Sequence, residues 1–296
     1  MVQGRTPKAE DARFKARKMT YLRDAFNTLT SMDDGWKYGR DDKGILFVPV
    51  KYIPYIADEC LFAGAKKVMI MSATINKKML QMLGVKNYSY LECPSEFDIQ
   101  NRQVIWIPTI SMKYGISESE LINRWILRID QIIESFPGHK GIIHCGSYDR
   151  KNLIVTHSRF AHLMYHNSTF TRGDIVKQFK EADAPAVLVS PSVTEGYDFP
   201  YDECRYQIVA KLPFPNTKEL MVSIMSEYDK DYAMYTTMQT LVQSCGRGVR
   251  HNDDKCATFI IDDNVEWFLR QYKRLAPGWF LESYRKCNTI PRDVLD

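Results

Sequence analysis

The 296-residue chain lacks the features that mark disulfide-rich, zinc-binding or membrane-embedded proteins. Its seven cysteines are an odd number, and no two of them form a Cys-x-x-Cys pair, which argues for reduced thiols. No apolar run reaches the roughly 20 residues of a membrane-spanning helix, and the basic amino terminus precedes no apolar signal core. We therefore expect an intracellular protein, cytoplasmic or associated with the nucleoid or nucleus according to its host.

The chain also lacks a strong excess of one charge. It has 40 Lys and Arg against 36 Asp and Glu, a net charge of +4, which permits nucleic-acid binding without requiring it. Three histidines lie close together in the sequence, but no neighbouring acidic or cysteine residue completes a metal site around His157, His162 and His166. We expect no metal ligands in this chain.

Short apolar runs rich in β-branched residues alternate with segments of helical periodicity. This alternation predicts an α/β fold with a mostly parallel sheet and helices on both faces. The predicted strands are residues 44–50, 65–71, 103–110, 140–144, 186–190, 205–211 and 256–262. The predicted helices are residues 12–29, 52–62, 76–83, 117–136, 174–181, 217–225, 231–246 and 264–272.

The segment from Met238 to Arg250 has an unusual polar face if it is placed on a helix. One side is an apolar stripe of Met238, Leu241, Val242, Cys245 and Val249, which predicts packing on a core. The other side carries Gln239, Gln243, Gly246, Arg247 and Arg250. No carboxylate on this face pairs with the guanidinium groups. A solvated basic face and a fork of arginines for phosphate explain this pattern equally well.

Gly246 also needs an explanation, because a glycine inside a helix costs up to about 1 kcal/mol relative to alanine. We expect it to allow close approach of a ligand or of another backbone. We also expect both arginines to lie near the carboxyl edge of the sheet and not to be buried against acidic partners. Asp198 could accept a hydrogen bond from an arginine, from ribose or from water.

Hydroxyl and acidic side chains follow several predicted strands, where open α/β sheets place ligand chemistry. Ser72 and Thr74 follow one strand, and Ser147 and Tyr148 follow another at the start of a helix, whose free N–H groups could hold a phosphate. Thr194, Gly196 and Asp198 lie in a loop in which the glycine allows a left-handed turn. Helix capping and an Asx-stabilised loop are the alternative explanations.

These stretches resemble, in order, motifs III to VI of superfamily 2 helicases. Ser72-Ala73-Thr74 resembles motif III, the segment around Ser147 motif IV, and Thr194 to Asp198 motif V. Gln243, Gly246, Arg247 and Arg250 fit the Gln-x-x-Gly-Arg-x-x-Arg pattern of motif VI. Leu212-Pro213-Phe214 and Pro277-Gly278-Trp279-Phe280 are most similar to the XPD/DinG-type DNA helicases. The resemblance covers roughly residues 44 to 285.

The resemblance implies a RecA-like fold and a division of the chain. Residues 1–90 would be the tail of a first RecA-like domain, and residues 91–296 the second RecA-like domain. It further implies that Arg247, Arg250 and Gln243 act in catalysis on ATP with Mg²⁺. Nucleotide contacts would come from Gly196, Asp198, Gln239 and Gly246. Contacts to single-stranded DNA, with RNA as the alternative, would come from Ser72, Thr74, Ser147, Tyr148 and Thr194.

The sequence contains neither the Gly-x-x-x-x-Gly-Lys-[Ser/Thr] loop that cradles phosphates nor an Asp-Glu-x-His or Asp-Glu-x-Asp box. In such enzymes the first half supplies the lysine, the metal and the water-activating carboxylate. We therefore expect an N-terminal RecA-like half, in cis or in trans, to hold most of the ATP and Mg²⁺. Alone, the chain should hydrolyse ATP negligibly. A non-catalytic RecA-like module that binds nucleic acid or a partner is the alternative function. An unrelated α/β enzyme that binds a phosphorylated metabolite is a weaker one.

Overall fold

The computed structural model describes residues 7–30, 35–41, 44–50, 53, 57–166, 171–191 and 196–295. They form two compact units. The first comprises Met1–Val68, Met82–Val85 and Thr217–Asp229, and the second comprises Met69–Gln81, Lys86–Asn216 and Lys230–Asp296.

Helices and strands alternate along most of the described chain, as in an α/β protein. The helices are α1 (Pro7–Thr30), α2 (Lys77–Met82), α3 (118–135, π-helical at Leu121–Ile126), α4 (Tyr148–His157), α5 (Arg172–Glu181), α6 (Leu220–Tyr228), α7 (Tyr232–Cys245), α8 (Asn264–Tyr272) and α9 (Gly278–Ser283). The strands are β1 (Lys37–Asp41), β2 (Gly44–Val48), β3 (Val104–Ile110), β4 (Lys140–His144), β5 (Met164–Tyr165), β6 (Ala186–Ser190), β7 (Tyr206–Val209), β8 (Ala257–Asp262) and β9 (Tyr284–Lys286).

The first unit contains an antiparallel hairpin. β1 pairs with β2 in a register that joins Lys37 to Val48 and Asp41 to Gly44. Helix α6 packs on this hairpin. The fit is tight at Gly39, where an added Cβ would lie 2.0 Å from Cδ1 of Leu220. A glycine at this position therefore lets the helix approach the strand closely.

The second unit is built on a seven-stranded sheet in the order β5-β6-β4-β7-β8-β3-β9. All of its strand pairs are parallel. One face of the sheet packs on α3 and α4 through Trp125, Ile129 and Ile154. The other face packs on α7 and α8 through Leu241 and Phe268, and on α5. Burial on both faces explains why these strands are nearly continuous apolar runs.

Asp262 ties three strands together at the carboxyl edge of the sheet. Its carboxylate is fully buried and accepts N–H groups from Met112 at 3.1 Å, Leu212 at 2.9 Å and Asn264 at 3.0 Å. Burial raises the pKa of this carboxyl group, while these hydrogen bonds oppose the shift. The acceptor fixes the turns that follow β3, β7 and β8.

The α/β fold and the parallel sheet with helices on both faces are confirmed. β4 and β6 have the predicted bounds. The strand predicted at residues 65–71 is wrong, because that stretch pairs with no described strand. Val68, Met69 and Met71 are instead 49%, 82% and 81% exposed. Strands β1, β5 and β9 were not predicted. Within the described residues, no helix is both long and apolar enough to cross a bilayer.

Candidate functional site

Helix α7 ends before the two arginines. Gly246 caps it by donating its N–H to the carbonyl of Val242 at 3.1 Å, and the chain then turns towards β8. The prediction that Arg247 and Arg250 lie on a helix face is therefore wrong. The predicted apolar stripe is confirmed, because Met238, Leu241, Val242 and Val249 are buried and Cys245 is half-buried.

The two guanidinium groups converge on Asp198 from the loop after β6. Nη1 of Arg247 lies 3.7 Å from Oδ1 of Asp198 and donates to the carbonyl of Tyr197 at 3.0 Å. Nη2 of Arg250 contacts the same carboxylate oxygen. Both arginines therefore share an acidic partner that is not on the polar face of α7. The Asp198 side chain is 62% exposed, so solvent and solutes reach the acceptor that both arginines share.

The arginines lie beside the amino ends of β7 and β8, and the prediction that they lie at the carboxyl edge is wrong. Helix α7 runs antiparallel to the strands it connects, so its last residues reach the opposite edge of the sheet. The backbone confirms the position, because Phe199 donates to the carbonyl of Arg247 at 3.3 Å. Arg250 donates its N–H to Asp254, three residues before β8, at 3.2 Å.

Asp254 is the buried anchor of this cluster. Its carboxylate is 0% exposed and accepts the N–H of Tyr201 at 3.1 and 3.0 Å as well as that of Arg250. Nη1 of Arg205, just before β7, lies 3.5 Å away. The Asp254 carboxylate thus connects the turn after Arg250 to the turn at Tyr201 and fixes their relative positions.

A second buried network joins the end of α7 to the sheet. Gln207 on β7 is 0% exposed, and its Nε2 donates to the carbonyl of Cys245 at 3.4 Å. Its Oε1 lies 3.0 Å from Nε2 of His144 at the end of β4. Burial lowers the pKa of His144 to about 4, and Arg247 contributes to the shift. The imidazole is therefore neutral at pH 7, and as the neutral ring it carries one N–H.

The two glycines between Gln243 and Arg250 differ in their surroundings. A Cβ on Gly246 would meet its nearest neighbours at 3.5 Å or more, so no close approach explains this glycine in the structure. A Cβ on Gly248 would lie 2.2 Å from Sγ of Cys256 and 2.5 Å from its Cβ. The tight contact that we expected at Gly246 therefore occurs two residues later.

The remaining predicted nucleotide-contact residues lie in the loop before Asp198 and on α7. Gly196 has φ of +84°, which confirms the predicted left-handed turn before Asp198. Gln239 and Gln243 are half-buried on α7. The Nε2 atom of Gln239 is buried, with no hydrogen-bond partner among the described residues.

The predicted nucleic-acid residues lie in more than one place. Ser147 caps α4 and accepts the N–H of Arg150 at 3.3 Å, and it lies at the carboxyl edge beside the 56% exposed Tyr148. Ser72 is exposed, and its Oγ accepts the N–H of Thr74 at 3.2 Å. Thr194 lies outside the described residues. The phosphate roles of these side chains remain predictions.

Sequence reasoning missed Asp254, Gln207 and Tyr201. Asp253-Asp254 reads as an exposed turn pair in the sequence, yet one carboxylate is exposed and its neighbour fully buried. Gln207 gives a usable signal, because it is a polar residue inside an otherwise apolar predicted strand, and buried polar groups require partners.

Comparison with known protein families identifies the family of this chain. Residues 129–283 match the family model described as the helicase C-terminal domain. Because this match covers more than half of the chain, the protein belongs to the helicase C-terminal domain family. Its motifs, relatives and fold define it as an XPD/DinG-type C-terminal half, which confirms the resemblance seen in the sequence.

Individual relatives cover parts of the chain. A Staphylococcus epidermidis protein named 3′-5′ exonuclease DinG is 34% identical over 95 residues, which are 31% of this chain and 10% of that protein. The ATP-dependent DNA helicase CHL1 of Saccharomyces cerevisiae is 24% identical over 186 residues, or 53% of this chain and 21% of that protein. The similarity thus spans about a fifth or less of each relative.

Solved structures support the fold. The structure titled XPD_Helicase superposes with a TM-score of 0.63 at 16% identity, covering 97% of this chain and 57% of that one. XPD_APO superposes with a TM-score of 0.61 at 16% identity and covers 97% and 64%. At this identity the likeness concerns the RecA-like architecture alone.

Proposed function

We propose that this chain is the second motor lobe of an ATP-dependent DNA helicase, in which Arg247 and Arg250 bind the phosphates of ATP. The observation that carries the proposal is the convergence of both guanidinium groups on the exposed carboxylate of Asp198. Carboxylate and phosphate oxygens are interchangeable acceptors for a guanidinium fork. An anion that displaces Asp198 could therefore bind to the guanidinium groups of Arg247 and Arg250, which are already oriented towards one acceptor.

The surroundings of Arg250 support this exchange. Its side chain is 32% exposed, and its Nε has no hydrogen-bond partner among the described residues. An exposed ion pair contributes about 0–1 kcal/mol, so breaking the contact to Asp198 costs little. Its backbone stays fixed by Asp254, which preserves the position of the side chain while it changes partners.

ATP hydrolysis depends on positioning and on charge stabilisation in the transition state. Arg247 and Arg250 would neutralise charge that develops on the transferred phosphoryl group, a role worth about 10³–10⁵ in rate. The chain's sequence offers no loop for the remaining phosphates and no acidic box for Mg²⁺. A first RecA-like lobe would supply both, so we expect negligible hydrolysis by this chain alone.

In this proposal Ser147 and Tyr148 contact nucleic acid at the opposite edge of the sheet. Ser147, at the start of the ten-residue helix α4, would donate to a strand phosphate together with free N–H groups of the helix. Tyr148 would contribute its exposed ring. Ser72, Thr74 and Thr194 would add further contacts to single-stranded DNA.

The test compares ATPase activity and DNA binding in the enzyme assembled with a lobe that carries the phosphate loop. Arg250→Ala should lower ATPase by at least 10³-fold while single-stranded DNA binding stays within about threefold. Arg250→Lys, which keeps the charge and loses the fork, should recover only part of the rate. Unchanged ATPase in Arg250→Ala would refute the assignment. If no such lobe ever elicits ATPase while the chain still binds DNA, the non-catalytic module is the better description.

A further inference from the structure

An exposed aromatic pair lies next to the arginine cluster. The rings of Tyr201 and His251 are nearly parallel, with an interplanar angle of 4° and a centroid separation of 5.0 Å. Tyr201 is 43% exposed and His251 is also exposed. His251 follows Arg250 directly in the chain. Core packing does not account for this stack, because much of both rings remains in solvent.

The backbone of Tyr201 is held in a strained conformation. Its φ of 52° lies in the left-handed region, and among the described residues no other non-glycine has a positive φ. This conformation costs about 1–2 kcal/mol for an L-residue with a Cβ. The N–H of Tyr201 donates to both oxygens of the buried Asp254 carboxylate, and these contacts hold the backbone in this conformation. Such strain persists only where surrounding structure fixes it, and it clusters at functional sites.

The same carboxylate fixes the other half of the stack. Asp254 accepts the N–H of Arg250 and so positions the segment that carries His251. The two rings and the Arg250 side chain therefore form one preorganised surface: a flat aromatic platform beside a guanidinium group. A ligand that suits this surface has a flat π-system and an anionic group.

We propose that Tyr201 and His251 form a stacking platform for a nucleobase whose phosphates lie on the side of Arg250. The proposal rests on the proposed function, because that function brings nucleotide phosphates to Arg250. Stacking of a base on an aromatic side chain contributes about 1–3 kcal/mol and tolerates any base. The base belongs either to ATP or to a single-stranded nucleic acid, and both present the same chemistry to the platform.

The experiment compares ligands with and without bases. The chain is titrated with ATP and with inorganic tripolyphosphate, and separately with an oligothymidylate and an abasic oligonucleotide of the same length. Three proteins are compared: wild type, Tyr201→Leu and Tyr201→Phe. The phenylalanine variant is the matched control, because it keeps the ring and the backbone position. Far-ultraviolet circular dichroism and the unfolding midpoint verify that each variant is folded.

Tyr201→Leu should weaken binding of a base-bearing ligand by about 5- to 100-fold, the range that corresponds to the stacking energy. Binding of the base-free ligand should change by less than twofold, and Tyr201→Phe should behave like wild type. If Tyr201→Leu loses affinity for ATP only, the base that stacks on the platform is that of ATP. If it loses affinity for the oligothymidylate only, the stacked base belongs to the single strand.

Three outcomes would overturn the platform: wild type that binds base-free ligands as well as base-bearing ones, Tyr201→Leu that binds all four ligands like wild type, or a loss that is equal with and without bases. Arg250→Ala separates this result from the proposed function. It should weaken binding of ATP and of tripolyphosphate to the same extent, and leave binding of both oligonucleotides within about threefold. If Arg250→Ala has no effect while Tyr201→Leu is selective, the platform stands and the phosphate role of Arg250 fails.

Discussion

Replacing Asp254 by alanine removes the buried acceptor that fixes both Arg250 and Tyr201. The carboxylate is 0% exposed and accepts two backbone N–H groups. Each donor left unsatisfied costs about 1–3 kcal/mol. Arg205 is not stranded, because its Nη2 keeps Asp202 at 2.7 Å. Two unsatisfied donors would together cost about 2–6 kcal/mol. Because Tyr201 is partly exposed, water can replace one acceptor, and the total falls in the lower half of that range. We expect the free energy of unfolding to fall by about 3 kcal/mol.

Chemical denaturation monitored by circular dichroism measures this loss. Asp254→Asn retains one carbonyl oxygen and should lose less, about 1–2 kcal/mol. Asp253→Ala is the matched control, because this neighbouring carboxylate is exposed and such surface changes usually stay within about 0.5 kcal/mol. The reasoning is refuted if Asp254→Ala is as stable as Asp253→Ala. In the assembled enzyme, Asp254→Ala should also reduce ATPase, because Arg250 loses its fixed backbone.

Three further predictions test the same region. Gly248→Ala should destabilise the chain by about 1–3 kcal/mol through overpacking against Cys256, whereas Gly246→Ala, which has room for a Cβ, should not; equal unfolding midpoints would contradict the close contact. His144 has a folded pKa of about 4 against an ordinary 6.5, so its contribution is present above pH 6.5 and is lost as pH falls towards 4. Wild type should lose about 2 kcal/mol more than His144→Gln between pH 7 and 5; parallel stability profiles would contradict this. Asp198→Asn should bind tripolyphosphate up to about fivefold more tightly by isothermal titration, because it removes a competitor worth about 0–1 kcal/mol; weaker binding would mean that Asp198 helps to hold the anion.

The sheet was predictable because its strands are buried on both faces. β4 and β6 follow directly from the apolar runs Lys140–His144 and Ala186–Ser190, since only such runs can be covered by helices on both sides. The same rule failed at residues 65–71. An apolar run becomes a strand only when a neighbouring strand supplies hydrogen bonds, and no described strand pairs with this one.

The sequence identified the two arginines of the cluster, but it predicted neither their shared contact with Asp198 nor the edge of the sheet at which they lie. Local pattern identified Arg247 and Arg250, but their partner Asp198 lies about fifty residues away in the sequence. Pairing over such a distance depends on the crossover between β6 and β7, which helical periodicity does not report. The edge of the sheet could have been deduced. A helix between two parallel strands must return to the amino edge, so residues that follow α7 cannot lie at the carboxyl edge.

This polarity has a consequence for how one lobe could couple two ligands. The arginines lie beside the amino ends of β7 and β8, whereas Ser147 follows the carboxyl end of β4. Yet the two regions are joined through the sheet, because Gln207 bridges His144, three residues before Ser147, to the carbonyl of Cys245, two residues before Arg247. The buried bridge between His144 and Gln207 therefore connects the neighbourhood of the arginines at one edge of the sheet to that of Ser147 at the other.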